Sequence, residues 1–106
     1  MAKVFVTQEI SRINYASALE YGDVVFLTCD EYKPEPTNGE INKEIKHSIA
    51  KHMKDYVPGV DYILTSGSPV SILLTGMIMA ATTVAMTGHK ILKWNNQSNR
   101  YDLCKI

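Results

Sequence analysis

Residues Asp61–Gly88 read DYILTSGSPVSILLTGMIMAATTVAMTG, and no charged residue occurs between Asp61 and Lys90. The opening DYILTS is a short apolar run of strand type. From Pro69 the apolar character continues to about Thr87, too long for a strand, and predicts a helix. Between them lies the tight turn Ser66-Gly67-Ser68-Pro69, with Ser68 placed as N-cap and Pro69 as the first helical residue. Gly88 is the expected stop. A strand passed through a glycine turn into a helix N-terminus is a building block of α/β sheets. It is also where such sheets receive anionic groups.

Working outward from this stretch, Pro58-Gly59 closes a preceding amphipathic helix. Its apolar positions Ile41, Ile45, Ile49, Met53 and Tyr56 form one stripe, with Lys43, Glu44, Lys46, Lys51 and Lys54 elsewhere on its surface. Thr37 and Glu40 fit a capping box at its start, after the loop DEYKPEPTNG at 30–39. The run VVFLTC at 24–29 lacks alternation and predicts a central strand covered on both faces. Cys29 then reads as a small buried residue. Gly22 is expected to end a helical turn over Ala16–Glu20 as a left-handed C-cap. Val4–Val6 open a first strand that runs into Thr7-Gln8-Glu9. Downstream, strands at 91–94 and 100–105 joined by a polar turn predict an antiparallel hairpin. The order predicts one α/β domain over residues 1–106. Its expected form is a small Rossmann-like sandwich with a mainly parallel sheet of about five strands, a C-terminal antiparallel hairpin and two main helices.

Composition narrows the function classes. The chain is 45% hydrophobic and 21% charged, and eleven basic residues balance eleven acidic ones. Zero net charge gives no bulk electrostatic drive toward nucleic acid or an anionic membrane, so nucleic acid is not an expected partner. Cys29 and Cys104 lack metal-type spacing, and His47, His52 and His89 match no zinc set. No metal and no cofactor are expected. The opening MAKVFVTQEI has no signal-type apolar core, which points to the cytoplasm.

A helix apolar all round must be covered all round. Three covers are available for Pro69–Thr87: a second copy of the chain, the Ile10–Tyr21 segment, or a bilayer. The bilayer is disfavoured by marginal length and flanking strands. The favoured reading is a homo-oligomer through this helix, and Gly76 and Ala80, one turn apart, permit close helix approach. The candidate ligand site comprises Thr65, Ser66, Gly67 and Ser68, with Gln8 and Glu9 at the end of the first strand. Acids here, with Asp30 and Glu31 at the end of the second, suit ribose hydroxyls or a metal that bridges to a phosphate, or else are loop residues facing water. These groups suit a phosphate-bearing small molecule, although neither the P-loop nor the GxGxxG pattern is present. Gly67→Val is expected to block an anion while leaving the fold intact. Lys93-Trp94 opposite Arg100-Tyr101 suits either base stacking or cross-strand packing, and zero net charge favours packing.

The tail ILKWNNQSNRYDLCKI resembles that of a group of small bacteriophage and bacterial proteins. The resemblance extends to Gln8-Glu9, to Ala18-Leu19-Glu20-Tyr21-Gly22, to the Gly-x-Pro turn at Gly67-Ser68-Pro69, and to an LKW[DN]xQxxxY hairpin over Leu92–Tyr101. Where that group often has Gly-Asp-Pro and Trp-Asp-Arg-Gln, this chain has Ser68 and Asn95-Asn96-Gln97, so each motif loses a carboxylate. The resemblance implies a phage origin and brings no activity with it. A looser fold-level similarity runs to small Rossmann-like CRISPR-associated proteins that bind or cleave cyclic oligonucleotides between two protomers. The leading expectation is a non-enzymatic, homo-oligomeric accessory protein that binds a phosphate-bearing small molecule or nucleotide at Ser66–Ser68. The alternatives are a structural or virion-associated protein, and a cyclic-nucleotide nuclease using His47 or Ser66 at a protomer interface.

Overall fold

The computed structural model describes residues 2–35, 39–82 and 88–106. Its strands are β1 (Lys3–Val6), β2 (Asp23–Phe26), β3 (Tyr62–Leu64), β4 (Lys90–Asn95) and β5 (Arg100–Lys105). They form one sheet in the order β2-β1-β3-β4-β5. The first four are mutually parallel, and β5 returns antiparallel to β4, with Leu92 opposite Leu103 and Trp94 opposite Tyr101. Helices α1 (Gly39–Met53) and α2 (Pro69–Thr82) complete the expected α/β architecture.

Alternation along β1 divides the interior into two cores. Phe5 packs with Ile63, Ile45, Ile49, Met53 and Tyr56 beneath the helices. Val4 and Val6 face the other way, onto Leu64, Leu92, Tyr15 and Ala18. That second face is covered by the segment linking β1 to β2, which contains only a 3-10 turn at Ala16–Glu20. Right-handed crossovers explain the division. The chain moves one way from β1 to β2 and the other way from β2 through β3 to β4, so the two sets of connections occupy opposite faces.

The amphipathic stripe of α1 is seated as its spacing predicts, with Ile45, Ile49, Met53 and Tyr56 all buried. Thr37 of the expected capping box lies outside the described residues. Three local expectations are corrected. The apolar run from Val24 forms an edge strand rather than a central one. Unbroken apolar character reports cover on both faces, and an edge strand can have that too. Cys29 is exposed, beyond the end of β2. Gly22 is nearly extended (φ +159) instead of left-handed, and a Cβ there would run into the carbonyl of Ala2.

Helix α2 is followed to Thr82, and residues 83–87 of its expected length lie outside the described residues. The Ile10–Tyr21 segment does not cover it, because Tyr15 and Ala18 belong to the core on the opposite face of the sheet. The inward side of α2 mixes apolar residues with hydroxyls: Leu74, Ile78 and Met79 pack against the Phe5 core beside Ser71 and Thr75. Ser71 and Thr75 are fully buried, whereas Leu73 and Met77 are 66% and 61% exposed, and Val70 lies on the same outward side. The inward hydroxyls need no outside partner: Thr75 Oγ1 donates to the Ser71 carbonyl at 2.8 Å. Among the described residues, no helix is long and apolar enough to cross a membrane.

Candidate functional site at the carboxyl edge of the sheet

Because β1 connects toward one edge and β3 toward the other, their carboxyl ends diverge. The crevice between such strands is the usual ligand entrance of an open α/β sheet. Thr7, Gln8, Ser66, Gly67 and Ser68 all meet there. Thr7 Oγ1 donates to the Ser66 carbonyl at 2.5 Å and accepts the Ser66 N–H at 2.8 Å. The buried Gln8 side chain crosses the crevice, and its Oε1 accepts the Ser68 N–H at 2.9 Å. Tyr15 ties the opposite wall. Its hydroxyl accepts the Ile10 N–H at 2.9 Å and lies 2.8 Å from Ser66 Oγ.

This network uses much of what the helix start offers an anion. Ser68 Oγ accepts the Ser71 N–H at 3.3 Å, as its N-cap position predicts. With the Ser68 amide on Gln8 and Pro69 lacking an N–H, at most the Val70 amide remains of the first four positions. Gly67 holds the close approach, at φ +88, with a Cβ there only 2.5 Å from Gln8 Cβ. Gly67→Val therefore overturns the packing of the turn and is not a clean probe of ligand binding.

Two hollows flank the turn and meet over Ile13 and Gly67. The first, about 400 Å³ and mostly apolar, is walled by Asn14, Thr65, Trp94 and Tyr101. The second, about 560 Å³, carries Arg12, Glu31, Gln8 and Ser68. Trp94 is 40% exposed and is contacted edge-on by Tyr101 at 5.0 Å between centroids, and the Trp94 indole N–H donates to Asn96 Oδ1 at 2.8 Å. Burial, with Tyr15 nearby, pushes the Tyr101 phenol above its ordinary pKa, so it remains neutral and acts as a wall.

Of the residues singled out from sequence, Thr65, Ser66, Gly67, Ser68 and Gln8 converge. Glu31 reaches the Arg12 hollow as the sheet topology predicts. Glu9 lines a neighbouring depression with Cys29 and Glu31. His47 and His52 sit in a separate depression on α1 beside Lys43 and Lys51. His89 lies at the amino end of β4, away from the crevice, with Nδ1 2.6 Å from the Tyr56 hydroxyl. Burial, reinforced by the charge of Asp61, pushes Tyr56 up to about 12. Among the described residues, no group of three or more His, Cys, Asp or Glu is placed to hold a metal. Sequence reasoning missed Arg12, Ile13, Asn14 and the pinning role of Tyr15, because SRINY has no periodicity or spacing that sets it apart from an ordinary connection.

Comparison with curated proteins and with solved structures gives no match. The family described as Phage Pam3 gp32-like protein matches residues 2–106, nearly the full length of the sequence. The expected resemblance to small phage proteins is supported at the level of the family. With its sheet, crevice and hairpin in view, the chain belongs to the Phage Pam3 gp32-like family.

Proposed function

We propose that this phage accessory protein works by binding rather than by turnover, as a homo-oligomer in the host cytoplasm. Its ligand is a phosphate-bearing small molecule held at the carboxyl edge of the sheet. The observation that carries this reading is the pair of hollows meeting over Gly67 at the point where strand order reverses. Because Gln8 and Ser68 occupy the amides of Ser68 and Ser71, the phosphate is assigned to the Arg12 side of the turn. A guanidinium can take two phosphate oxygens at once. The outward face of α2 supports self-association. Val70, Leu73 and Met77 form an uncharged stripe, and two such faces meet without like-charge repulsion.

A second reading, in which the protein acts through subunit contacts alone, rests on that same stripe. Cleavage of a cyclic nucleotide by His47 or Ser66 at a protomer interface has less support: His47 is exposed on α1, in a depression that shares no residue with the crevice, and the Ser66 hydroxyl is buried 2.8 Å from that of Tyr15. Native mass spectrometry of protein taken from infected cells separates the readings. A dimer or larger species carrying nucleotide-sized mass supports the proposal. An oligomer without added mass, combined with no calorimetric response to ribose 5-phosphate, favours subunit contacts alone. A bare monomer overturns the homo-oligomer.

A further inference from the structure

We infer that the ligand is a nucleotide whose base lies in the Trp94 hollow, an inference that rests on the phosphate reading above for its other end. At about 400 Å³ the hollow is in the size range of small-molecule sites, roughly 300–1,000 Å³. Its lining combines the aromatic rings of Trp94 and Tyr101 with a few polar groups, a composition that suits a planar heteroaromatic ring. Trp94 is held before any ligand arrives. Tyr101 braces the ring edge-on, and the indole N–H is already committed to Asn96, which leaves the ring's apolar surface as what it can offer a ligand. Ile13, 44% exposed, lines the same hollow and adds apolar surface for a base. Asn14 and Thr65 on the rim offer donors and acceptors to a base edge.

The adjoining hollow gives the remaining parts of the ligand their places. The two cavities share Ile13 and Gly67, so a ribose passing over the glycine joins a base on the Trp94 side to a phosphate on the Arg12 side. Glu31 faces the same hollow and can accept hydrogen bonds from ribose hydroxyls. A mononucleotide suits this better than a nucleic-acid strand, since the chain has zero net charge and the two hollows provide one base place and one arginine.

Trp94 is the sole tryptophan among six tyrosines, so tryptophan emission excited selectively at the red edge of its absorption reports on this hollow. The wild-type protein is titrated with adenosine 5′-monophosphate, adenosine and ribose 5-phosphate, following fluorescence and, in parallel, calorimetric heat. The expected result is saturable quenching by the nucleotide and by adenosine, with ribose 5-phosphate binding without quenching. Trp94→Ala should weaken nucleotide binding about tenfold or more, leave ribose 5-phosphate unchanged, and be largely rescued by Trp94→Phe. Binding of ribose 5-phosphate with no adenosine quenching overturns the base place and spares the phosphate reading. Adenosine quenching without any ribose 5-phosphate heat supports the base place and overturns the phosphate reading. Silence with all three overturns both. Tighter binding of a single-stranded oligonucleotide than of the mononucleotide overturns the small-molecule occupant.

Discussion

The Gln8 side chain reaches across the crevice to the helix start. Its amide oxygen takes the Ser68 N–H, and Gly67 is the residue that makes room for it. The cost of adding even one carbon follows directly. Gly67→Ala imposes a left-handed backbone on a residue with a Cβ and drives that Cβ into Gln8, so it should destabilise the fold by about 1–3 kcal/mol. Urea unfolding measures this, and an unchanged midpoint would show that the turn relaxes freely. Gly76 predicts the opposite sign. It lies inside α2, and a Cβ there meets nothing within 4 Å in the isolated chain. Gly76→Ala should therefore stabilise the dilute protein by about 0.5–1 kcal/mol. The pair shows what sequence can and cannot reveal about a glycine. That Gly67 makes a turn was legible from its serine and proline neighbours. That it also accommodates Gln8, some sixty residues earlier, leaves no trace in either local sequence.

At the scale of elements, α2 carries the most consequential difference between pattern and placement. A helix with apolar residues on every side has no phase to read, so the sequence could not say which side faces in. The fold turns Ser71 and Thr75 inward, where their small side chains suit close packing, and leaves Leu73 and Met77 outside. Leu73→Lys is the corresponding test. It should convert an oligomer to monomer in light scattering while changing the stability of the monomer by less than about 0.5 kcal/mol, because an exposed position carries little folding energy. An oligomer that survives Leu73→Lys would place its interface elsewhere. Helix α1 and the β4–β5 hairpin were easier to read, since a single apolar stripe fixes phase and a short polar turn fixes register. The edge position of β2 was not legible, because cover on both faces is the same signal at the middle and at the rim of a sheet.

Across the whole molecule, the ends of the sheet have different duties. The carboxyl end holds the crevice, while the amino end is closed by buried polar groups. Asp61 accepts the backbone N–H of Lys3 at 2.9 Å and of Val57 at 2.8 Å, and Tyr56 meets His89. With its pKa pushed up to about 12 from the ordinary value of 10.0, Tyr56 binds its proton more tightly folded than unfolded. Its contribution is fully present below about pH 10 and is lost as pH rises through about 12. Tyr56→Phe should flatten the alkaline fall in the urea midpoint, and an identical slope in both proteins would rule Tyr56 out as its source. The placement of β1 also bears on how the chain is made. It lies between β2 and β3, with Val4 in register with Tyr62 and Lys3 tied to a residue 58 positions later. During synthesis Val4, Phe5 and Val6 leave the ribosome with only one of their two flanking strands soon to follow. The apolar strand at the heart of the sheet must wait for the middle of the chain, so its closure is non-local, which favours slow folding and leaves an apolar edge uncovered in the meantime.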